Sequence, residues 1–145
     1  MSRTRSQARR CAVQALYQWQ LTGEDVAEIA TQILEEKDAK KVDTSYFRGL
    51  LSGVVKQVDV MDALLAPTLD RSIGSLDPVE LAIMRMGAYE LKYHLEVPYR
   101  VVINESVELA KTFGADQGHK YVNGVLDKLA ASLRSGEFKL KRHSK

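Results

Sequence analysis

The sequence is poor in the residues that build disulfide frameworks, interrupt helices or ligate metals: among 145 residues there are one cysteine, three prolines and three histidines. Cys11 alone cannot form an internal disulfide, which agrees with a reducing compartment. His94, His119 and His143 fall on separate expected elements without ligand spacing, so no zinc signature is present. No stretch approaches the roughly 18 uninterrupted apolar residues of a membrane span, and Met1 to Arg10 lacks the apolar run of a secretory signal. A cytoplasmic location is expected.

What is present is an ordinary globular composition, 45% hydrophobic and 28% charged, in a chain long enough to bury roughly two thirds of its unfolded surface in one domain. The net charge of +2 conceals a segregation. Residues 1–20 carry Arg3, Arg5, Arg9 and Arg10 with no acid, residues 134–145 are also +4, and the stretch between them is −6. Such a split suggests a basic surface suited to phosphates and an acidic one suited to a basic partner, although charged ends also aid solubility.

Apolar spacing is helical nearly throughout, with no sustained alternation of the strand type, so an all-α fold of about seven helices is expected. In the first helix, about Thr4 to Leu21, Ala8, Cys11, Ala12, Ala15, Leu16 and Trp19 make one inward stripe. A second follows near Glu24 to Lys37. A third, with Asp43 as N-cap, runs from about Thr44 to Leu65 until Pro67 blocks it. A short helical turn is expected around Leu69 to Ile73. Asp77-Pro78-Val79-Glu80 then combines a capping residue, a proline at the first helical position and a glutamate at the third, a strong helix start. The apolar residues after it spread too widely for one stripe, which implies a central helix. Another helix opens at Val97-Pro98-Tyr99, runs to about Thr112 and is expected to end by a left-handed Gly114; Asp116 is expected to cap the last. Residues 1–135 read as a single helical domain and 136–145 as a basic, disordered tail.

Catalytic groups do not converge in this pattern. Cys11 lies in an apolar stripe and reads as structural rather than as a reactive thiolate. The stretch Gly114 to Lys120 resembles a phosphate loop only superficially, because its spacing is one residue short, a histidine precedes the lysine and no serine or threonine follows. A non-enzymatic protein, without metal or cofactor, is expected.

Two groups of residues suit RNA. Arg5 and Arg9 are four apart and Arg3 and Arg10 seven apart, so a helix starting near residue 4 would display them along its outer side. Cations at a helix N-terminus oppose the macrodipole, a conflict that an anionic partner removes. The second group is Lys111, Phe113, Gly114, Lys120, Tyr121 and Asn123, where basic groups interleave with rings and an amide, as in proteins that hold single-stranded RNA. Phe113 and Tyr121 also fall close to core stripes, so a structural role stays open for each. Gly124 in mid-helix implies close approach of another backbone or a ligand.

Several strings resemble the NusB family: Arg9 to Tyr17 (RRCAVQALY), Asp43 to Leu51 (DTSYFRGLL), Arg85 to Leu91 (RMGAYEL), Pro98 to Lys111 (PYRVVINESVELAK) and Phe113 to Lys128 (FGADQGHKYVNGVLDK). Residues 22–42, Asp70 to Leu76 and the tail after Arg134 match poorly. The resemblance implies two three-helix subdomains sharing a core, and a role in transcription antitermination, especially of ribosomal RNA operons. It implies binding to the boxA element of nascent RNA together with NusE, a small-subunit ribosomal protein, in a complex with RNA polymerase and other Nus factors. By motif, the arginine-rich start and the Lys111 to Asn123 region correspond to the RNA surface, and Tyr17 and Glu80 to the NusE side. Two other readings are an RNA-binding domain of an rRNA methyltransferase, set against by the lack of a following cofactor domain, and a protein-only helical adaptor whose arginines are solubilising.

Overall fold

A computed structural model of the chain describes residues 3–137, and every regular element among them is helical. These residues divide between Val58 and Asp59 into two compact units. The first holds α1 (Arg3–Thr22), α2 (Val26–Glu35) and α3 (Thr44–Lys56); the second holds α4 (Val58–Leu65, whose first residue lies before the division), α5 (Pro78–Tyr93), α6 (Tyr99–Phe113) and α7 (Gly118–Leu133). The two three-helix groups implied by the resemblance are α1–α3 and α5–α7.

In the first unit α1 packs on α3 and α2. Ala8, Cys11, Ala12, Ala15 and Leu16 are buried as the spacing requires, with Ile29 and Ala30 from α2 and Phe47, Leu50, Leu51 and Val54 from α3. Asp43 caps α3, accepting the Tyr46 N–H at 3.0 Å, while its own N–H donates to the Thr4 carbonyl at 3.0 Å and ties the start of α3 to the start of α1. The expected single helix from Thr44 to Leu65 is instead two. Gln57, at φ −110° and ψ 22°, leaves the helical region and separates α3 from α4. Apolar spacing runs unbroken through this point, and neither glycine nor proline marks it.

Pro67 ends α4 as anticipated, but the next turn is not around Leu69 to Ile73. Two 3-10 turns, Ala66–Thr68 and Ile73–Ser75, flank an irregular segment, because Leu69 is extended at ψ 151°. Asp77 then accepts the N–H groups of Val79 and Glu80 at 2.9 and 3.1 Å and starts α5. This helix is the centre of its unit. Residues Glu80 to Ala88 are buried without interruption, and α6 and α7 both pack on it. A Cβ on Gly87 would come within 2.8 Å of Leu126 and 3.2 Å of Ser106 Oγ, so glycine lets α7 and α6 approach this closely.

Charges buried with α5 are partnered. Arg85 binds Asp62 of α4 through two parallel bonds of 2.8 Å. Arg134, counted in the sequence among the basic residues of the chain end, is 5% exposed and points inward. Its guanidinium donates to the carbonyls of Leu91 (2.8 Å), Val97 (3.0 Å), Glu90 (3.3 Å) and His94 (3.0 Å), so it satisfies the C-terminal end of α5. Glu137 accepts from Arg134 at 2.8 Å and from the Tyr99 N–H at 3.0 Å. Of the tail expected at 136–145, residues 138–145 lie outside the described residues.

Arg134→Ala is expected to lower the unfolding free energy by about 3 kcal/mol, because it leaves four carbonyls without their donor and removes the guanidinium beside Glu137. Arg134→Lys should recover only part of this, since an ammonium cannot reproduce the planar fork. Urea denaturation checks both, and a loss below about 0.5 kcal/mol, the range of indifferent surface substitutions, would count against the clamp.

Candidate nucleic-acid interface

The basic start of α1 has no acid in its first turn to offset the helix dipole. Arg3 and Arg10 are exposed. Arg5 is half-buried, its guanidinium 4.1 Å from the centre of the Tyr46 ring. Arg9 departs from the expected outer strip: at 1% exposure it is among the largest fully buried side chains, with its guanidinium 5.5 Å from the same ring. It follows the inward face with Ala8 and Ala12. A second source of charge lies beside Arg3. Lys37, Lys40 and Lys41, from the α2–α3 connector, line with Arg3, Thr4 and Gln7 a cavity of about 590 Å³, which Glu36 and Asp38 also border. Its signal was the charged run through Lys40 and Lys41, whose proximity to Arg3 depends on the Asp43–Thr4 hydrogen bond.

The second group forms where α6 gives way to α7. Lys111, Lys120 and Asn123 are exposed, and Phe113 and Tyr121 are half-buried, between the two roles left open for them. The turn differs from its expected form in two places. Gly114 is extended, at φ −84° and ψ 176°, and its Cβ position lies 2.7 Å from the Ala110 carbonyl, so it serves close approach rather than left-handed backbone. The left-handed residue is Gln117, at φ 69°, and it, not Asp116, stands at the N-cap of α7.

Glu80 explains this turn. Rather than reaching back to complete a capping box, its carboxylate accepts the Ala115 N–H and lies against Gly118, where a Cβ would come within 2.6 Å of the carboxyl carbon. Glu80, expected on the NusE side, is only 7% exposed and holds the α6–α7 turn. Burial, and then the neighbouring Asp77 carboxylate, raise its pKa above the usual 4.5, while the Ala115 N–H and Arg71 oppose the rise. Tyr17, the other expected partner residue, is exposed (38%) on α1.

Tyr121 carries a further arrangement. Its hydroxyl donates to Asp70 at 3.0 Å, and Arg71 lies 4.7 Å over its ring while binding both Asp70 oxygens at 2.7 and 3.2 Å. The Arg71 and Tyr121 donors hold the Asp70 carboxyl down at about 2. Arg71 was not anticipated, since it lies 50 residues away in the segment that matched the family least.

Among the described residues nothing lies within 4 Å of the Gly124 Cβ position, so the close approach of another backbone expected there is not seen among them. Cys11 is buried, and burial pushes its thiol up, away from the thiolate. Among the described residues no group of His, Cys, Asp or Glu is placed to hold a metal ion, and no helix is long and apolar enough to cross a membrane.

These features define an all-α protein with two arginine-bearing, aromatic-lined surfaces. The family model described as the NusB family matches residues 6–131, and the chain belongs to that family. A transcription antitermination protein NusB of Serratia proteamaculans is 55% identical over 130 residues, spanning 90% of this chain and 94% of the relative. That of Alcanivorax borkumensis is 57% identical over 133 residues, 92% and 89% of the two chains. Among solved structures, T. maritima NusB superposes with a TM-score of 0.84 at 29% identity, covering 96% of this chain and 99% of that one. The NusB of a crystal structure of antitermination factors NusB and NusE in complex with dsRNA gives 0.80 at 30% identity, covering 91% and 99%.

Two outcomes follow from the turn. Because the Glu80 pKa is raised on folding, its contribution to stability is present below the unfolded value and lost as pH rises through the folded one. Glu80→Gln should therefore gain on the wild type as pH rises from about 4.5 toward neutrality, measured by denaturation at several pH values; a constant difference would contradict the buried carboxylate. Gly118→Ala should cost about 1–3 kcal/mol by crowding Glu80, whereas Gly124→Ala should add roughly 0.5–1 kcal/mol.

Proposed function

We propose that this chain is a transcription antitermination factor that binds the boxA element of nascent ribosomal RNA together with NusE and links it to RNA polymerase and other Nus factors in the cytoplasm. The observation that carries the reading is the family match over residues 6–131, alongside a related NusB solved with NusE and RNA. On the first unit, Arg3, Arg5 and Arg10 supply phosphate contacts, and the lysine-lined cavity beside Arg3 supports the same assignment. On the second, Lys111 and Lys120 supply charge, Phe113 and Tyr121 ring faces, Asn123 base-edge contacts, and Gly114 and Gly124 room for close approach. Tyr17 belongs to the NusE side. The protein does no chemistry; NusE adds RNA-contacting surface and raises the effective affinity of the pair.

The test is titration against a short boxA RNA and a scrambled control, with and without NusE, at two salt concentrations, repeated with Arg3→Ala/Arg10→Ala. BoxA should win, NusE should tighten binding, and the double substitution should flatten the salt slope by roughly 1 to 1.5, at about 0.7 per lost single-strand phosphate contact. Equal binding of both RNAs with no effect of NusE would favour a protein-only adaptor.

A further inference from the structure

The irregular segment before α5 carries an exposed carboxylate, Asp70, held by the adjacent Arg71 and by Tyr121 of α7. Asp70 presents two oxygens to Arg71 and accepts a third bond from the Tyr121 hydroxyl, while the Tyr121 ring supports the guanidinium from its face. A bidentate guanidinium joined by a hydroxyl donor, and steadied by an aromatic ring, is also the set of groups that receives the two non-bridging oxygens of a phosphodiester. The occupant is weakly held. Both side chains of the pair are open to water, at 52% and 66% exposure, and ion pairs so exposed contribute little net stability. An incoming phosphate thus exchanges one anion for another without uncovering a buried charge. The surroundings suit it: Lys120 and Asn123 are exposed on the same stretch of α7, and one turn beyond Tyr121 no described residue comes within 4 Å of the Gly124 Cβ position.

We propose that Asp70 is a built-in competitor for an RNA phosphate at Arg71 and Tyr121, holding the two donors in ligand-ready geometry and yielding its place when RNA binds. The inference rests on the RNA-binding reading above and adds Arg71 to it as a contact and Asp70 as the residue that sets affinity below what the surface can deliver. The carboxyl titrates near 2, so the competitor remains charged at any physiological pH and acidification does not relieve it.

Asp70→Asn keeps the shape and removes the charge. It should tighten RNA binding 3- to 10-fold and steepen the salt slope by about 0.7, and adding Arg71→Ala should erase the gain. Asp127→Asn, the same charge change at an exposed position on α7, controls for a general electrostatic effect. If Asp70→Asn does no better than this control, the proposal is overturned. An independent readout is the Arg71 Nε–H resonance during titration with inorganic phosphate. It should move at a tenfold lower concentration in Asp70→Asn than in the wild type, and identical responses would sink the site. Should phosphate move that resonance while no form binds RNA, the RNA reading has failed and the anion site stands.

Discussion

A helix buried on several sides cannot leave a charge without a partner, because an uncompensated ion in the interior costs more than any one apolar contact returns. Helix α5 meets this constraint at both ends and in its middle. Glu80 reaches the α6–α7 turn, Arg85 holds Asp62 of α4, and Arg134 arrives from beyond α7 to satisfy the C-terminal carbonyls. Each partnership joins α5 to a different segment, so the polar groups that burial makes expensive also fix where α4, the α6–α7 turn and the end of α7 must lie. Among the described residues no buried side-chain nitrogen or oxygen lacks a partner. The apolar residues of α5 supply the driving force for packing; the charged ones restrict it to one arrangement.

The sequence made legible what depends on local periodicity and hid what depends on distant partners. Helix identities followed from three- and four-residue apolar spacing, and the starts at Asp43 and Asp77 from capping chemistry, because both are set within a few residues. The break at Gln57 was invisible since the apolar pattern crosses it unchanged. Arg9 was placed outside because a guanidinium normally is, and Glu80 toward a partner because a family motif suggested it; both are buried. No spacing rule announces that a glutamate at the third helical position will forgo its capping box for a peptide N–H 35 residues away. Arg134 misled in the same way, for it reads as one charge of a basic tail and works as a clamp on carbonyls contributed by residues 90–97. At the candidate interface Lys111, Lys120 and Asn123 are exposed. The cluster of Asp70, Arg71 and Tyr121 could not be read, since nothing local links residues 51 apart.

Both surfaces use the same device at different places. Arg5 lies over Tyr46 in the first unit, and Arg71 over Tyr121 in the second. A free arginine side chain carries about 2 kcal/mol of rotamer entropy, and a ligand that captures it must offset that loss. A guanidinium already resting on a ring has surrendered part of this freedom during folding. Charge alone would give attraction without register. Tyrosine is well suited to the supporting role, since its ring steadies the cation and its hydroxyl can donate to the same anion, as it does to Asp70. The cost of preorganisation is that a fixed donor set with no ligand will recruit whatever anion is nearest, and in the second unit the nearest is a carboxylate of the adjacent residue. Self-occupation of this kind is thus a consequence of building a rigid phosphate-type site on a surface where aspartate is within reach, and its strength is limited by the same solvent exposure that lets a ligand in.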